Sequence, residues 1–200
     1  RTRMAAIGGF VLVVGLIAVA RVQVADMNPN KLAAMRSFYG VVNVDEVDAG
    51  DAAKHGRVMF HGRIAHGFQF LEPKKSNQPT MYFGEQSGVG VAISRFPAKR
   101  EGVIVTSNGN VRGLVGKDLR VGIIGLGVGS IAGYARSGDH YRFYEINPDV
   151  ETLARKYFTF LSNCQGEVEV VIGDARRSME EEPPQHYDIL VLDAFSGDAI

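Results

Sequence analysis

Hydrophobic and polar positions follow two different patterns along this chain. Over residues 37–116, short runs rich in β-branched and aromatic residues are separated by polar turns. This pattern predicts a small antiparallel β domain, and residues 102–116 at its end should form either a hairpin or a strand with turns at Asn108-Gly109. Another run, residues 57–71, should form two strands that break at the glycine of one of its two His-Gly pairs, Gly62 or Gly67.

From residue 118 onward, apolar segments that predict strands alternate with segments that predict helices. Such alternation is typical of a parallel sheet with crossover helices. The last predicted strand is almost entirely apolar, so we expect both of its faces to be covered. The four predicted strands are LRVGIIG (119–125), YRFYEI (141–146), EVEVVIG (167–173) and YDILVLD (187–193).

A helix is predicted after the second of these strands. Asn147 can cap it, Pro148 suits its first position, and Asp149 complements the positive end of the helix. The apolar residues that follow recur at helical spacing, which indicates a face packed in the core and not a cofactor site. They are Val150, Leu153, Ala154, Tyr157, Phe158 and Leu161.

Residues 4–20 contain no charged residue and are flanked by arginines. At about 1.5 Å per residue this segment is roughly 26 Å long, close to the thickness of the hydrocarbon core. We therefore expect a transmembrane helix over residues 1–25, followed by a polar linker over residues 26–36. A signal peptide and a buried soluble helix are the alternatives. Basic residues on both sides leave the orientation open.

The composition narrows the range of functions. Lys and Arg together number 22, as do Asp and Glu, so no basic excess favours nucleic acid as a partner. The single cysteine, Cys164, excludes an intrachain disulfide and argues against a cysteine zinc site. The five histidines are scattered, and His61 and His66 each precede a glycine, as in turns or strand ends. We therefore expect no metal site.

Candidate ligand-binding residues follow the predicted parallel strands where the strands end. Gly125, Gly127 and Gly129 form a GxGxG loop after the first strand, where backbone can approach a ligand closely before a short helix. Glu145 lies 20 residues beyond Gly125 at the tip of the next strand, where a carboxylate can bind ribose hydroxyls. Because ligands bind at the carboxyl ends of strands in open parallel sheets, the pattern predicts a nucleoside-binding site.

Three further acids leave alternatives open. Asp174 can accept a hydrogen bond from an adenine amino group, or it can cap the helix that follows. Asp193 ends a strand predicted to be buried, where a carboxylate is costly unless used or paired, which favours a functional role. Asp198 is either a second acid of the same loop or a turn residue.

The glycine loop could be only a tight turn, although GxGxG suits S-adenosylmethionine-type ligands better than nicotinamide cofactors.

Residues 118–200 resemble the spermidine synthase group of class I S-adenosylmethionine-type folds. The segments that carry the resemblance are GIIGLGVGS, FYEINPDV, VVIGDARR and YDILVLDAFSGDAI. Upstream, FYGVVNV, FHGRIAHGFQ and MYFGE are similar to the small β domain that precedes the catalytic domain in those enzymes. The apolar N-terminus resembles the membrane-fused branch of the family, in which this domain follows transmembrane helices.

The resemblance implies an α/β fold with a Rossmann-like, methyltransferase-type parallel sheet over residues 117–200. We expect that sheet to be C-terminally incomplete, because the usual fold has seven strands. The resemblance also implies roles for individual residues, with Asp193 as the catalytic acid that positions and deprotonates an attacking amine. The implied cofactor-binding residues are Gly125, Gly127, Gly129, Glu145, Ile146, Asp174 and Ala175, and the implied substrate-binding residues are Gln69, Tyr82 and Asp198.

These roles imply aminopropyl transfer from decarboxylated S-adenosylmethionine to a small-molecule amine, as in polyamine biosynthesis, without a metal. Two departures bear on polyamine specificity: the loop reads GLGVGS where the family usually has GGGDGG, and AFSG separates Asp193 from Asp198 where the family has DxxD. An S-adenosylmethionine-dependent methyltransferase and a non-catalytic nucleoside- or polyamine-binding domain are the alternatives. We expect a membrane location with the catalytic domain facing the cytoplasm, where the cofactor is supplied, and we also consider a homodimer.

Overall fold

The structure is a computed structural model, and it describes residues 14–17, 29–96, 103–105, 111–113 and 118–194. The chain divides into two compact units, Arg1–Lys31 and Leu32–Ile200. Residues 14–17 are helical, and the rest of the predicted transmembrane helix lies outside the described residues. No helix within the described ranges has both the length and the apolar character needed to cross a bilayer. The membrane location, its orientation and the homodimer stay predictions.

The small β domain contains a four-stranded sheet in the order β1-β2-β3-β4. Strands β2, β3 and β4 pair antiparallel, as predicted. The break in the run 57–71 falls at the first His-Gly pair, where Gly62 takes a φ of 60° in a tight turn. The strands are β1 (Lys31–Ser37), β2 (Gly40–Val47), β3 (Gly56–His61) and β4 (Ile64–Phe70).

The structure differs from two expectations for this region. Strand β1 begins at Lys31, inside the predicted linker, because Ala33 and Met35 alternate toward the core as in a strand. The domain also contains a helix, α1 (Gly88–Ser94), after a 3₁₀ turn at Met81–Phe83. The predicted hairpin is confirmed as β5 (Val103–Val105) paired antiparallel with β6 (Val111–Gly113).

The second sheet consists of four parallel strands in the order β10-β7-β8-β9. This arrangement confirms the predicted parallel sheet and places the reversal of strand order at β7, between β8 on one side and β10 on the other. In open parallel sheets this reversal opens a crevice for ligands. The strands are β7 (Arg120–Ile124), β8 (His140–Glu145), β9 (Glu167–Ile172) and β10 (Ile189–Leu192).

Helices connect these strands. Helix α2 (Pro148–Tyr157) begins at the predicted cap, where the Asn147 side chain accepts a hydrogen bond from the backbone N–H of Asp149. It ends at Tyr157, so Phe158 and Leu161 are buried after the helix and not within it. Helix α3 (Ala175–Glu181) follows β9, and a five-residue 3₁₀ helix, Ser130–Tyr134, follows the glycine loop.

The expectation that both faces of the last strand are covered is wrong. In β10, Leu190 is 46% exposed and Leu192 is 74% exposed, whereas Val191 is buried. Alternate side chains of a strand point to opposite faces, and the core packs against the face that carries Val191. Strand β10 also lies at the edge of the described sheet, so its outer side chains have fewer neighbours.

One hydrophobic cluster joins the two sheets within Leu32–Ile200. Val42, Val44 and Met59 of the small β domain belong to the same buried cluster as Leu126 and Val128 of the glycine loop. The small sheet is therefore packed on the carboxyl edge of the parallel sheet. The candidate site lies at this junction.

Candidate active site

The carboxyl ends of the four parallel strands are tied together side by side. The N–H of Gly125 donates to the carbonyl of Tyr144 over 2.8 Å, and the N–H of Asp193 donates to the carbonyl of Ile124 over 2.9 Å. The N–H of Gly173 donates to the carbonyl of Glu145 over 2.9 Å. The residues that follow the strands are thus held in one row, as the sequence predicts.

A cavity of about 880 Å³ opens along this row. That volume lies within the range of small-molecule sites. Predicted site residues from the ends of all four strands line this cavity. They are Gly125, Gly127, Glu145, Ile146, Asp174, Ala175 and Asp193.

The three glycines of the loop all have positive φ, at 98° for Gly125, 53° for Gly127 and 80° for Gly129. The chain itself fills the space that a Cβ would occupy. A Cβ on Gly125 would lie 2.4 Å from the carbonyl oxygen of Asp193, and one on Gly127 would lie 2.7 Å from that of His66. Gly129 packs on Leu161 and is not among the residues that line the cavity. The glycines therefore permit close backbone packing as well as ligand approach.

Glu145 is the buried acid of the site, with 8% of its surface exposed. One carboxylate oxygen accepts the N–H of Leu126 over 3.0 Å, and the other accepts the N–H of Asn147 over 2.9 Å. Burial raises the pKa of this carboxyl, and the two backbone donors oppose the rise. A carboxylate offers about four lone-pair positions, so each oxygen can still accept one hydroxyl of a ribose.

Asp174 takes one of its two predicted roles, the helix cap, and its predicted contact with adenine stays untested. Its carboxylate accepts the N–H of Arg177 over 2.8 Å and so caps α3. It is exposed and also lines the cavity, next to Ala175 at the first position of the helix. Ile146, 44% exposed, supplies an apolar surface to the same part of the wall.

Asp193 is half-buried at the end of β10, on the other side of the glycine loop from Glu145. Burial raises the pKa of its carboxyl to about 6. The Tyr82 hydroxyl has its pKa raised to about 12, first by burial and then by the negative charge of Asp193. Tyr82 therefore lies within electrostatic range of Asp193, but it is not among the residues that line the cavity, and its predicted contact with a substrate stays untested. Asp198 lies outside the described residues.

The structure does not bring Gln69 to the cavity. Its side chain is 1% exposed and sits in a closed set of hydrogen bonds. The amide nitrogen donates to the carbonyl of Ser76 and to the hydroxyl of Thr159, and the amide oxygen accepts the N–H of Thr159. Gln69 thus fastens β4 to the segment after α2. The predicted contact between Gln69 and a substrate stays untested.

Sequence reasoning missed the part of the cavity wall that the small β domain provides. Phe38 and Tyr39, in the turn between β1 and β2, line the cavity together with His61 and His66. The two histidine rings lie 5.7 Å apart, and burial together with the charge of His61 lowers the pKa of His66. The sequence feature nearest to this part of the wall is the pair of His-Gly motifs, and these motifs predict turns but no contact with a cavity.

In the part of the chain that the structure describes, no three His, Cys, Asp or Glu side chains are grouped as a metal site would require.

Comparison of the sequence with protein-family models and with curated proteins gives no match. Among solved structures, the chain is similar to a probable spermidine synthase from Corynebacterium glutamicum ATCC 13032, with a TM-score of 0.57 and 15% sequence identity over 82% of this chain. It is also similar to the spermidine synthase from Thermotoga maritima, with a TM-score of 0.51 and 17% identity over 84% of this chain. The chain spans about half the length of these two proteins, 52% and 49% respectively. At identities this low the likeness establishes the fold, and at that level it confirms the predicted resemblance: the chain has the fold of the spermidine synthases.

Proposed function

We propose that this chain forms the nucleoside-binding and catalytic part of a spermidine synthase-like aminopropyltransferase. The observation that carries the proposal is a single cavity with Glu145 and Asp193 on opposite sides of the glycine loop, where Asp193 has a pKa near 6. The shared fold supports the same assignment at a coarse level. The co-substrate is decarboxylated S-adenosylmethionine, and the acceptor is a small amine.

The wall near β8 and β9 suits the nucleoside. Glu145 is already oriented by Leu126 and Asn147, so it accepts the ribose hydroxyls without reorganising. Ile146 and Ala175 offer apolar surface to a purine, and Asp174 can accept a hydrogen bond from its amino group. The adenosyl group of the co-substrate thus lies along the row of strand ends, with the sulfonium directed toward β7 and β10.

The wall near β10 suits the transfer step. The lone pair of a neutral amine attacks the carbon next to the sulfonium, the carbon–sulfur bond breaks, and its electron pair neutralises the sulfur as a thioether. Asp193 orients the lone pair of the attacking amine and accepts a proton from its nitrogen as the carbon–nitrogen bond forms. A carboxylate with a pKa near 6 is ionised at neutral pH, so it also attracts a cationic polyamine.

The substitution Asp193→Asn tests the proposal. We expect it to reduce aminopropyl transfer by about a hundredfold or more, the range for loss of a general base, because the amide cannot accept the proton. Binding of methylthioadenosine, the thioether product, should stay within a few fold of the unmodified protein when measured by calorimetry. Asp48→Asn is the matched control, since Asp48 lies in an exposed turn at a φ of 54° that asparagine tolerates. If Asp193→Asn keeps its rate, the catalytic assignment is wrong.

One observation favours a second candidate, an S-adenosylmethionine-dependent methyltransferase. Val128 occupies the position at which the GGGDGG loop of the family has its acid. Its side chain is buried and packs so closely on Gly67 that a Cβ on Gly67 would lie 2.3 Å from a methyl carbon of Val128. The loop therefore has no carboxylate at this position. Calorimetry with the two co-substrates separates the candidates: tighter binding of the decarboxylated form supports aminopropyl transfer, and tighter binding of S-adenosylmethionine supports methyl transfer. Binding without turnover of either favours the non-catalytic alternative.

A further inference from the structure

We infer that the turn between β1 and β2, Phe38–Tyr39, forms an aromatic subsite that stacks on the purine ring of the bound nucleoside. The inference rests on the proposed function, because it names the surface that the base would contact. We call these two residues the aromatic turn. Nothing in the pattern of the sequence around it predicts this role.

The exposure of the aromatic turn is the first observation. Phe38 is 97% exposed and Tyr39 is 38% exposed, and the two rings make an edge-to-face contact with centroids 5.5 Å apart. A single exposed apolar residue is common and needs no explanation. Here both rings line the same cavity as Ile146, a third exposed apolar side chain. The three together form an apolar surface at a small-molecule cavity.

The backbone of the aromatic turn is held in place, which a ligand contact requires. His61 Nε2 lies 2.5 Å from the carbonyl oxygen of Tyr39, and because a carbonyl only accepts, the ring nitrogen is the donor. The N–H of Tyr39 donates to the hydroxyl of Ser37 over 3.2 Å. Gly40 follows at a φ of 111°, where a Cβ would lie 2.8 Å from His61 Nε2. The turn is therefore fixed at two points while its rings stay solvent-exposed.

A chain of hydrogen bonds locates the aromatic turn over the end of β8. The Ser37 hydroxyl donates to the side-chain oxygen of Asn147 over 3.3 Å. The N–H of Asn147 in turn donates to the carboxylate of Glu145 over 2.9 Å. The turn thus adjoins the acid proposed for the ribose and the Ile146 side chain proposed for the base. A flat aromatic ligand is the chemistry that two exposed rings at this position recognise, since stacking gains both apolar burial and quadrupole attraction.

The experiment uses the absence of tryptophan from the chain. Phe38→Trp introduces one tryptophan, whose fluorescence reports contact with methylthioadenosine added as the probe. Leu32→Trp is the control, because Leu32 is an exposed apolar residue of β1 that does not line the cavity. In parallel, calorimetry compares the affinity of methylthioadenosine for the unmodified protein and for Phe38→Ala. Because the Phe38 ring is almost fully exposed, truncating it should leave folding intact.

We expect a saturable change of fluorescence in Phe38→Trp, none in Leu32→Trp, and a loss of affinity of about tenfold in Phe38→Ala, the range found for base–aromatic stacking. If the unmodified protein binds methylthioadenosine but the tryptophan at position 38 stays silent, or Phe38→Ala binds within twofold, the aromatic subsite is refuted and the proposed function stands. If the unmodified protein binds no adenine nucleoside thioether, the proposed function fails and this subsite fails with it.

Discussion

The carboxylate of Glu145 accepts the backbone N–H of Leu126 over 3.0 Å, which ties the end of β8 to the glycine loop after β7. The second oxygen accepts the N–H of Asn147, so the acid bridges two strand-end segments. This buried carboxylate therefore has two tasks, since it organises the loop and presents its other lone pairs to the cavity. The two tasks make separable predictions.

We expect Glu145→Gln to destabilise the fold by about 1–3 kcal/mol, because the new NH₂ group would face a backbone N–H and leave a buried donor unsatisfied. It should also weaken methylthioadenosine binding by about tenfold or more, since one ribose acceptor is lost. Chemical denaturation and calorimetry measure the two effects. The control is Glu151→Gln, which removes an exposed i, i+4 pair with Arg155 and should change the stability by less than about 0.5 kcal/mol. Unchanged stability in Glu145→Gln would show that the loop does not depend on this acid.

The position of Glu145 could be predicted from the sequence, and its surroundings could not. The distance from the glycine loop and the end of an apolar strand locate the acid, because parallel strands place their carboxyl ends at one edge. The wall opposite this edge comes from β2, β3 and the aromatic turn, which are about a hundred residues away in the chain. Local periodicity carries no information about such packing. Gln69 shows the same limit, since its family role predicts a ligand contact and its buried hydrogen bonds became visible only in the structure.

The pKa of Asp193 makes a prediction about pH. An aspartate raised from its usual value of 3.8 to about 6 binds a proton more tightly in the folded state. Its contribution to stability is therefore greatest below about pH 4 and is lost as the pH rises through about 6. Asp193→Asn removes this loss, so the variant should melt about 2–4 °C higher than the unmodified protein at about pH 8, with a smaller difference at about pH 4.

The same titration should appear in the kinetics of transfer. Below a pH of about 6 both the amine and Asp193 must lose a proton, so the slope of log kcat/KM against pH should steepen from about one to about two. In Asp193→Asn the residual rate should keep a slope of about one throughout. If the slope still changes near pH 6 in Asp193→Asn, the titration belongs to another group.

A substitution at Gly125 tests whether the glycine loop can accommodate a side chain. We expect Gly125→Ala to destabilise the fold by about 2–4 kcal/mol, because the residue has a φ of 98° and the new Cβ would lie 2.4 Å from the carbonyl oxygen of Asp193. Thermal unfolding measures the effect. Gly50→Ala is the matched control, since Gly50 has no atom within 4 Å of its Cβ position and no positive φ. Equal melting temperatures for the two variants would contradict the close approach of β7 and β10 at this point.

The last prediction concerns the side of the parallel sheet away from the core. The Glu182 side chain, half-buried after α3, accepts hydrogen bonds from Arg142 and from the hydroxyl of Tyr144. The Tyr144 hydroxyl also lies 2.6 Å from that of Tyr187, so this network joins β8 to the segment between α3 and β10. Tyr144 also lines the cavity. Loss of the Glu182 charge leaves the guanidinium of Arg142 with one carboxylate partner, that of Glu169.

We therefore expect Glu182→Gln to destabilise the fold by about 2 kcal/mol, within the range for removing one partner of a half-buried charged hydrogen bond. Glu181→Gln, one residue earlier in the chain, is the control. Its pair with Arg177 is exposed on the helix surface, so it should change the stability by less than about 1 kcal/mol. Urea denaturation compares the two variants. Because Arg142 stays charged across the accessible pH range, the difference should persist from about pH 6 to pH 9. If the two variants unfold at the same urea concentration, the network contributes no more than a surface ion pair, and α3 is held by its apolar contacts alone.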